Sequence, residues 1–141
     1  MLTKEQVLAL KPGREMDALI AEHVFKWRKV PGPKTDYDGP CESFDVLVPP
    51  DIDNPFPLYP PRGAIKPWWF CHKWSIELED AFEIVREYGL KKADGLELRQ
   101  CHGCFMARFS GPYWGLGEYP PEAICKAALL AEMSEAVIWN E

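Results

Sequence analysis

Ten of the 14 prolines fall between Pro31 and Pro67, and that crowding constrains the fold more than any other feature. Proline has no N–H to give to a helix or a sheet ladder, so neither a helix nor a central strand can run through such a stretch. Regular structure must come mainly from the two ends of the chain. Inside the segment, Phe44 to Val48 is the one stretch that reads as a strand, closed by Pro49-Pro50. Irregular segments of this length are uncommon in a compact domain and are usually either disordered or functional. Tyr37, Phe44, Phe56 and Tyr59, with the adjoining Trp68-Trp69-Phe70, favour a loop packed on the body. Its prolines lower the entropy lost on ordering it.

The flanks carry clear helix and hairpin signals. Thr3-Lys4-Glu5-Gln6 reads as a capping box opening a short helix to Leu10, which Pro12 and Gly13 end. A second helix is expected from about Gly13 to Arg28. Met16, Leu19, Ile20, His23 and Trp27 lie on its buried stripe, while Arg14, Glu15, Asp17, Glu22 and Lys26 meet water. Ser75 is placed to N-cap a third helix, Ile76 to Tyr88, burying Leu78, Ala81, Phe82 and Val85. Leu96 to Gln100 and Phe105 to Ser110 read as a hairpin around Cys101-His102-Gly103-Cys104, with Phe105, Ala107 and Phe109 on one face. After a glycine- and aromatic-rich loop, Ser110 to Tyr119, Pro120-Pro121 starts a final helix, apolar over most of its circumference through Met133. The succession predicts one α+β domain over 1–141: a three-layer α-β-α sandwich with a small antiparallel sheet and a loop insertion at about 31–67.

Composition narrows the function classes. At 141 residues, 47% hydrophobic and 27% charged, the chain is within the range of one globular domain. A net charge of −6 with no Lys/Arg block argues against binding duplex nucleic acid through a broad basic surface. No apolar run approaches the ~20 residues of a membrane span, and Met1 to Leu10 lacks the apolar stretch of a signal peptide. The expected location is the cytosol, with no membrane partner. There the five cysteines are expected as thiols or metal ligands rather than disulfides.

Cys101-x-x-Cys104 is the sharpest local constellation. Its spacing suits two thiolates on one zinc, and Cys71-His72 could complete the set if that segment lies beside the hairpin tip. The competing reading is a plain hairpin turn, and no resident cofactor is the expectation. Cys-His nucleophilic pairs can be written from the same residues, but strand neighbours point to opposite faces and make poor partners. His23 and Cys125 read as core residues. Asp51-Ile52-Asp53-Asn54 lacks the glycine and distal glutamate of a calcium loop, and the loop 111–117 lacks the lysine of a phosphate loop.

Lys11-Pro12-Gly13-Arg14-Glu15-Met16-Asp17-Ala18-Leu19-Ile20-Ala21 with Trp27, Trp74-Ser75 leading into Ala81-Phe82-Glu83-Ile84-Val85, Phe105-Met106-Ala107-Arg108-Phe109, and Pro121-Glu122-Ala123-Ile124-Cys125-Lys126-Ala127-Ala128-Leu129-Leu130-Ala131 together form a pattern. It resembles the phage ABA-sandwich domain family. The resemblance covers the two ends and the third helix, and implies an α-β-α sandwich of phage or prophage origin. It implies no activity, since no catalytic residues carry over.

The residues left for function are aromatic and cationic. Trp68, Trp69, Trp74, Tyr113 and Trp114 offer faces for stacking, and Arg99 and Arg108 offer cations for phosphate or carboxylate. Rings with a few arginines suit a nucleotide-like ligand; the same rings could instead cover the sheet or a subunit interface. Three functions follow. The first is a non-enzymatic phage accessory protein, expected as a homo-oligomer, that binds a host-derived ligand and sequesters a nucleotide-derived immune signal. The second is a module that inhibits a host protein through the proline- and aromatic-rich loop. The third is a small zinc- or cysteine-dependent enzyme.

Overall fold

The capping box forms as the sequence predicts: the Thr3 hydroxyl accepts the Gln6 N–H at 3.1 Å, and the Gln6 side chain accepts the Thr3 N–H at 2.9 Å. It opens helix α1, Lys4–Ala9. In this computed structural model residues 2–31, 45–52, 70–89, 95–109 and 113–138 are described. They form a mixed α+β fold with few helices and two small antiparallel sheets, in roughly an α-β-α arrangement.

Helix α2, Arg14–Leu19, continues as a wider π turn over Ile20–Val24 and stops at Phe25, short of the expected Arg28. Lys26 adopts a left-handed φ of 58°, and the Trp27 N–H closes the end onto the Ala21 carbonyl at 2.9 Å. The reason for the early stop is aromatic packing. Phe25 stacks on Trp74 at 5.1 Å and Trp27 meets its edge at 5.6 Å, positions that a continued helix would not give both rings. Released from the helix, Arg28–Pro31 becomes strand β1, which the sequence did not announce. It pairs antiparallel with β2, Asp45–Val48, from Arg28 opposite Val48 to Pro31 opposite Asp45. Phe44 of the expected strand, and most of the 31–67 insertion, lie outside the described residues. Val46 and Val48 pack with Val30, Ile52 and Phe70, whereas Leu47 turns to the main core.

Two polar side chains overturn their expected roles. Asp17, assigned to water, is 0% exposed. Its Oδ1 accepts the Ser75 N–H at 2.9 Å, and its Oδ2 is buried with no hydrogen-bond partner. Ser75 does not cap the helix that follows it; its hydroxyl accepts the Gly13 N–H at 2.9 Å and faces the Gly13 carbonyl at 3.3 Å. Gly13 is the N-cap of α2 and has no capping side chain of its own. From across the fold, Ser75 satisfies the N–H of Gly13 itself, the bond that an N3 side chain makes in a capping box. Burial raises the Asp17 carboxyl above the ordinary aspartate value, against the opposing pull of the Ser75 hydrogen bonds and Arg14.

Helix α3, Leu78–Ile84, also ends in a π turn, Val85–Gly89. Asp80 of its first turn accepts the Lys73 N–H at 2.9 Å. The buried residues are Ala81, Ile84 and Tyr88, while Leu78 and Phe82, expected inside, are exposed. His23, expected in the core, keeps 40% of its side chain in solvent.

Strands β3, Glu97–Cys101, and β4, Cys104–Arg108, form the hairpin. The sequence missed the third strand: Gly115–Gly117, expected as loop, is β5 and pairs with β4. Residues facing each other across antiparallel strands share a face. Leu98, Gln100, Phe105, Ala107, Gly115 and Gly117 therefore share one face, inward on β4 and β5 but exposed at Leu98 and Gln100, and Glu97, Arg99, Cys101, Cys104, Met106, Arg108 and Leu116 share the outward one. The inward face of β4 and β5 carries helix α4, Pro120–Ile138. From Ala123 to Ala131 the helix is buried all round, because α1, the π turn of α2 and α3 cover its other sides. Lys126 is buried among them and donates to the Leu8 carbonyl at 2.9 Å, satisfying a free carbonyl near the end of α1.

The contact between α4 and β5 is backbone on backbone. A Cβ at Gly115 would stand 2.5 Å from the Ala127 nitrogen and 2.7 Å from the Ala123 oxygen; one at Gly117 would stand 2.7 Å from the Ala123 nitrogen. Gly115→Ala is expected to lower stability by about 1–3 kcal/mol or more, because only a shift of the helix can relieve the overlap. Gly103→Ala meets no neighbour within 4 Å and carries only the strain of its φ of 83°. Thermal melts of the two variants should therefore separate clearly.

Asp17→Asn keeps an acceptor for the Ser75 N–H and removes the buried charge. Because the folded state holds the Asp17 proton more tightly than the unfolded chain, its favourable contribution is complete below the ordinary aspartate value. It is lost as pH rises through the raised one. Urea unfolding should show the variant gaining on the parent protein as pH rises from below the ordinary aspartate value through the raised one.

Candidate functional site

The outward face of the β3–β4–β5 sheet gathers three of the residues singled out in the sequence. The Arg108 guanidinium lies 4.4 Å from the centre of the Trp114 ring, and that of Arg99 lies 5.3 Å from it. Trp114 precedes β5, whose pairing sets its ring beside β4, while the two-residue turn fixes the β3–β4 register that brings Arg99 and Arg108 to one face. In that turn His102 and Gly103 have φ of 41° and 83°, the paired left-handed conformation that matches strand twist.

Glu97 was not foreseen and organises this face. Its carboxylate accepts from Arg108 Nη2 at 2.6 Å and lies 3.6 Å from Arg99 Nη2. The Arg108 hydrogen bond holds the Glu97 carboxyl below the usual glutamate range, with the charges of Arg108 and Arg99 adding to it. The signal was available in the sequence: once the turn is placed at 102–103, counting back along both strands puts Glu97 opposite Arg108. A cation on a ring with its fork held by one carboxylate is a defined platform. Arg99 remains 68% exposed, so donors are available to a bound anion. Tyr113, next to Trp114, is partly exposed with the Lys4 ammonium 4.4 Å from its ring centre. Lys4 belongs to α1, which packs on the helix side of the sheet, so Tyr113 does not join the Trp114 cluster; the outward face bears two cations, one carboxylate and one aromatic ring.

Other expected site residues do not join them. Trp74 is 0% exposed, enclosed by Phe25, Trp27 and His72, and presents no face to a ligand. It is a core residue because the end of α2 folds onto it. Trp68 and Trp69 lie outside the described residues. Cys71 is buried in the main core, and His72 lies 4.0 Å from Asp80. Among the described residues no three His, Cys, Asp or Glu side chains converge to hold a metal ion, so the four-ligand set of Cys71, His72, Cys101 and Cys104 does not assemble. Burial pushes the Cys71 thiol up to about 12 and the Cys125 thiol well above its ordinary value. Both remain thiols at neutral pH and are poor nucleophiles or metal ligands.

A second concavity, of about 620 Å³, lies between the ends of α2 and α3 and the turn after β2. Phe25, Trp27 and Tyr88 line it with Asp51, Glu83 and Arg86. Its size is that of a small-molecule site. Its cations are engaged, Lys26 by Glu132 at 3.5 Å and Arg86 by Glu87 at 3.8 Å, and three carboxylates surround them. An anion is therefore better served by the sheet face. No helix among the described residues is long and apolar enough to cross a membrane.

Comparison of the chain with known protein families, with curated proteins and with solved structures yields no match. The site must be read from its own geometry.

The ion pair can be tested directly. Arg108→Ala should return the Glu97 carboxyl toward the ordinary glutamate range, read by NMR titration of the side-chain carboxyl. In the parent protein the pair supports the fold above the ordinary glutamate value, and that support is lost as pH falls through the lowered one.

Proposed function

We propose that the protein is a non-enzymatic binding protein that holds a planar, anionic, nucleotide-like ligand on the outward face of its larger sheet. The observation that carries this reading is the Arg99–Trp114–Arg108 cluster: two guanidinium groups over one indole on an exposed face. The indole and the guanidinium planes offer surfaces on which a base can stack, and the N–H donors of Arg99 suit phosphate oxygens. Glu97 limits the charge of the cluster, which favours a ligand with a stacking ring over a bare anion. The high thiol pKa of Cys71 weighs against the cysteine-dependent enzyme.

The resemblance to the phage ABA-sandwich domain family gives this binding a biological setting. An accessory protein of a phage, acting in the host cytosol as a homo-oligomer, would sequester a nucleotide-derived immune signal by such a face. A protein partner is the alternative, supported by Ile76, Leu78 and Phe82, which stand exposed around the start of α3.

Calorimetry of the full chain against cyclic mono- and dinucleotides and ADP-ribose derivatives tests the first reading. Binding should weaken about ten- to a hundredfold in Trp114→Ala, the range of one lost base–aromatic stack, and comparably in Arg108→Ala. Absence of binding to every member of the panel, with a stoichiometric host protein retained by the immobilised chain and lost on Leu78→Asp, would replace it with the second.

A further inference from the structure

The tip of the β3–β4 hairpin carries the two thiols that the proposed ligand face does not use. Cys101 and Cys104 are directly opposed in the register, flank the two-residue turn and point outward, and both are partly exposed. The Cys104 sulfur already lies over the turn, 3.0 Å from the Cys101 carbonyl oxygen. Opposed Cβ atoms of antiparallel strands stand about 4.5–5.5 Å apart. A disulfide asks for roughly 3.8 Å between them, so closing one here would distort the turn. Two sulfurs sharing a tetrahedral zinc at about 2.3 Å each stand near 3.8 Å from one another, a separation that the opposed side chains reach by rotating about their Cα–Cβ bonds. The hairpin tip is thus better built for a shared metal than for a sulfur–sulfur bond.

Two thiolates fill only half of a structural zinc site. Among the described residues no third His, Cys, Asp or Glu side chain stands with them, and the core thiols of Cys71 and Cys125 are buried in the main cluster. A hairpin tip projects from the fold, so an identical tip can approach it about a twofold axis, the commonest symmetry of homo-oligomers.

We propose that Cys101 and Cys104 form half of a four-thiolate zinc site, which two copies of the chain complete tip to tip. Zinc binding displaces the two thiol protons of each hairpin and involves no change of oxidation state. The proposal is independent of the nucleotide-like ligand, because the thiols belong to the tip and not to the Trp114 platform.

The test uses the reduced full-length protein, stripped with chelator and titrated with zinc, followed by native mass spectrometry and light scattering. Cobalt serves in parallel as a spectroscopic probe. The expected result is a zinc-dependent dimer with one ion per two chains and the thiolate-to-cobalt absorption of a four-sulfur site. Cys101→Ser and Cys104→Ser should each abolish that dimer while leaving the melting curve of the zinc-free protein unchanged. One zinc per monomer, no zinc uptake, or an assembly state indifferent to zinc and to both substitutions would each overturn the proposal.

Discussion

The approach of helix α4 to strand β5 is the constraint on which the other contacts depend. With no side chain at Gly115 or Gly117, the helix backbone settles directly onto the sheet at Ala123 and Ala127. That places α4 deep enough for α1, α2 and α3 to close over its remaining sides. Ala123 and Ala127 suit such a position, and the side chains of Glu122 and Lys126 pass beside the two glycines, where any Cβ on the strand would meet them. Both charged side chains are used: Glu122 accepts the Glu118 N–H before the helix, and the buried stem of Lys126 carries its ammonium to the end of α1.

A second set of contacts joins the two halves of the chain. Asp17 and Gly13, from the start of α2, meet Ser75, and Phe25 and Trp27, from its end, meet Trp74. Neighbouring residues of one short segment thus secure both ends of the same helix. The segment does so with one polar and one aromatic side chain, and the polar part leaves a buried carboxylate oxygen unpartnered. A buried carboxylate with one oxygen unpartnered is not what packing alone would select.

What the sequence made legible were features decided locally. The capping box at Thr3, the β3–β4 hairpin and the proline-started final helix depend on residues within a few positions of one another, and each forms, although Cys101 and Cys104, expected in the connecting loop, pair within the strands and leave a two-residue turn. The failures share a different cause. Ser75 and Asp17 carry ordinary helix-start and helix-surface signals, but their partners are roughly sixty residues away, so local preference was overridden by a tertiary hydrogen bond. Arg28–Pro31 and Gly115–Gly117 were invisible as strands because neither shows alternating hydrophobicity: one is mostly exposed, the other consists largely of glycine chosen for closeness to a helix. At the candidate site the arginines and Trp114 were legible as types, and Trp74 was misassigned for the same reason that it is interesting chemically. A tryptophan suits a core and a ligand face equally well.

Strand β3 overhangs α4, and among the described residues no strand pairs with its free edge. A bare edge of this kind is a template for another chain, and charged side chains are the usual protection. Glu97 and Arg99 are those charges here. The residues that gather around Trp114 therefore also put charge along this edge, so edge protection and the form of the candidate site rest on the same side chains. Exchange of Arg99 for an aliphatic residue would remove an edge charge together with a cation beside Trp114, whereas exchange for a neutral polar residue would remove the cation and keep a polar edge.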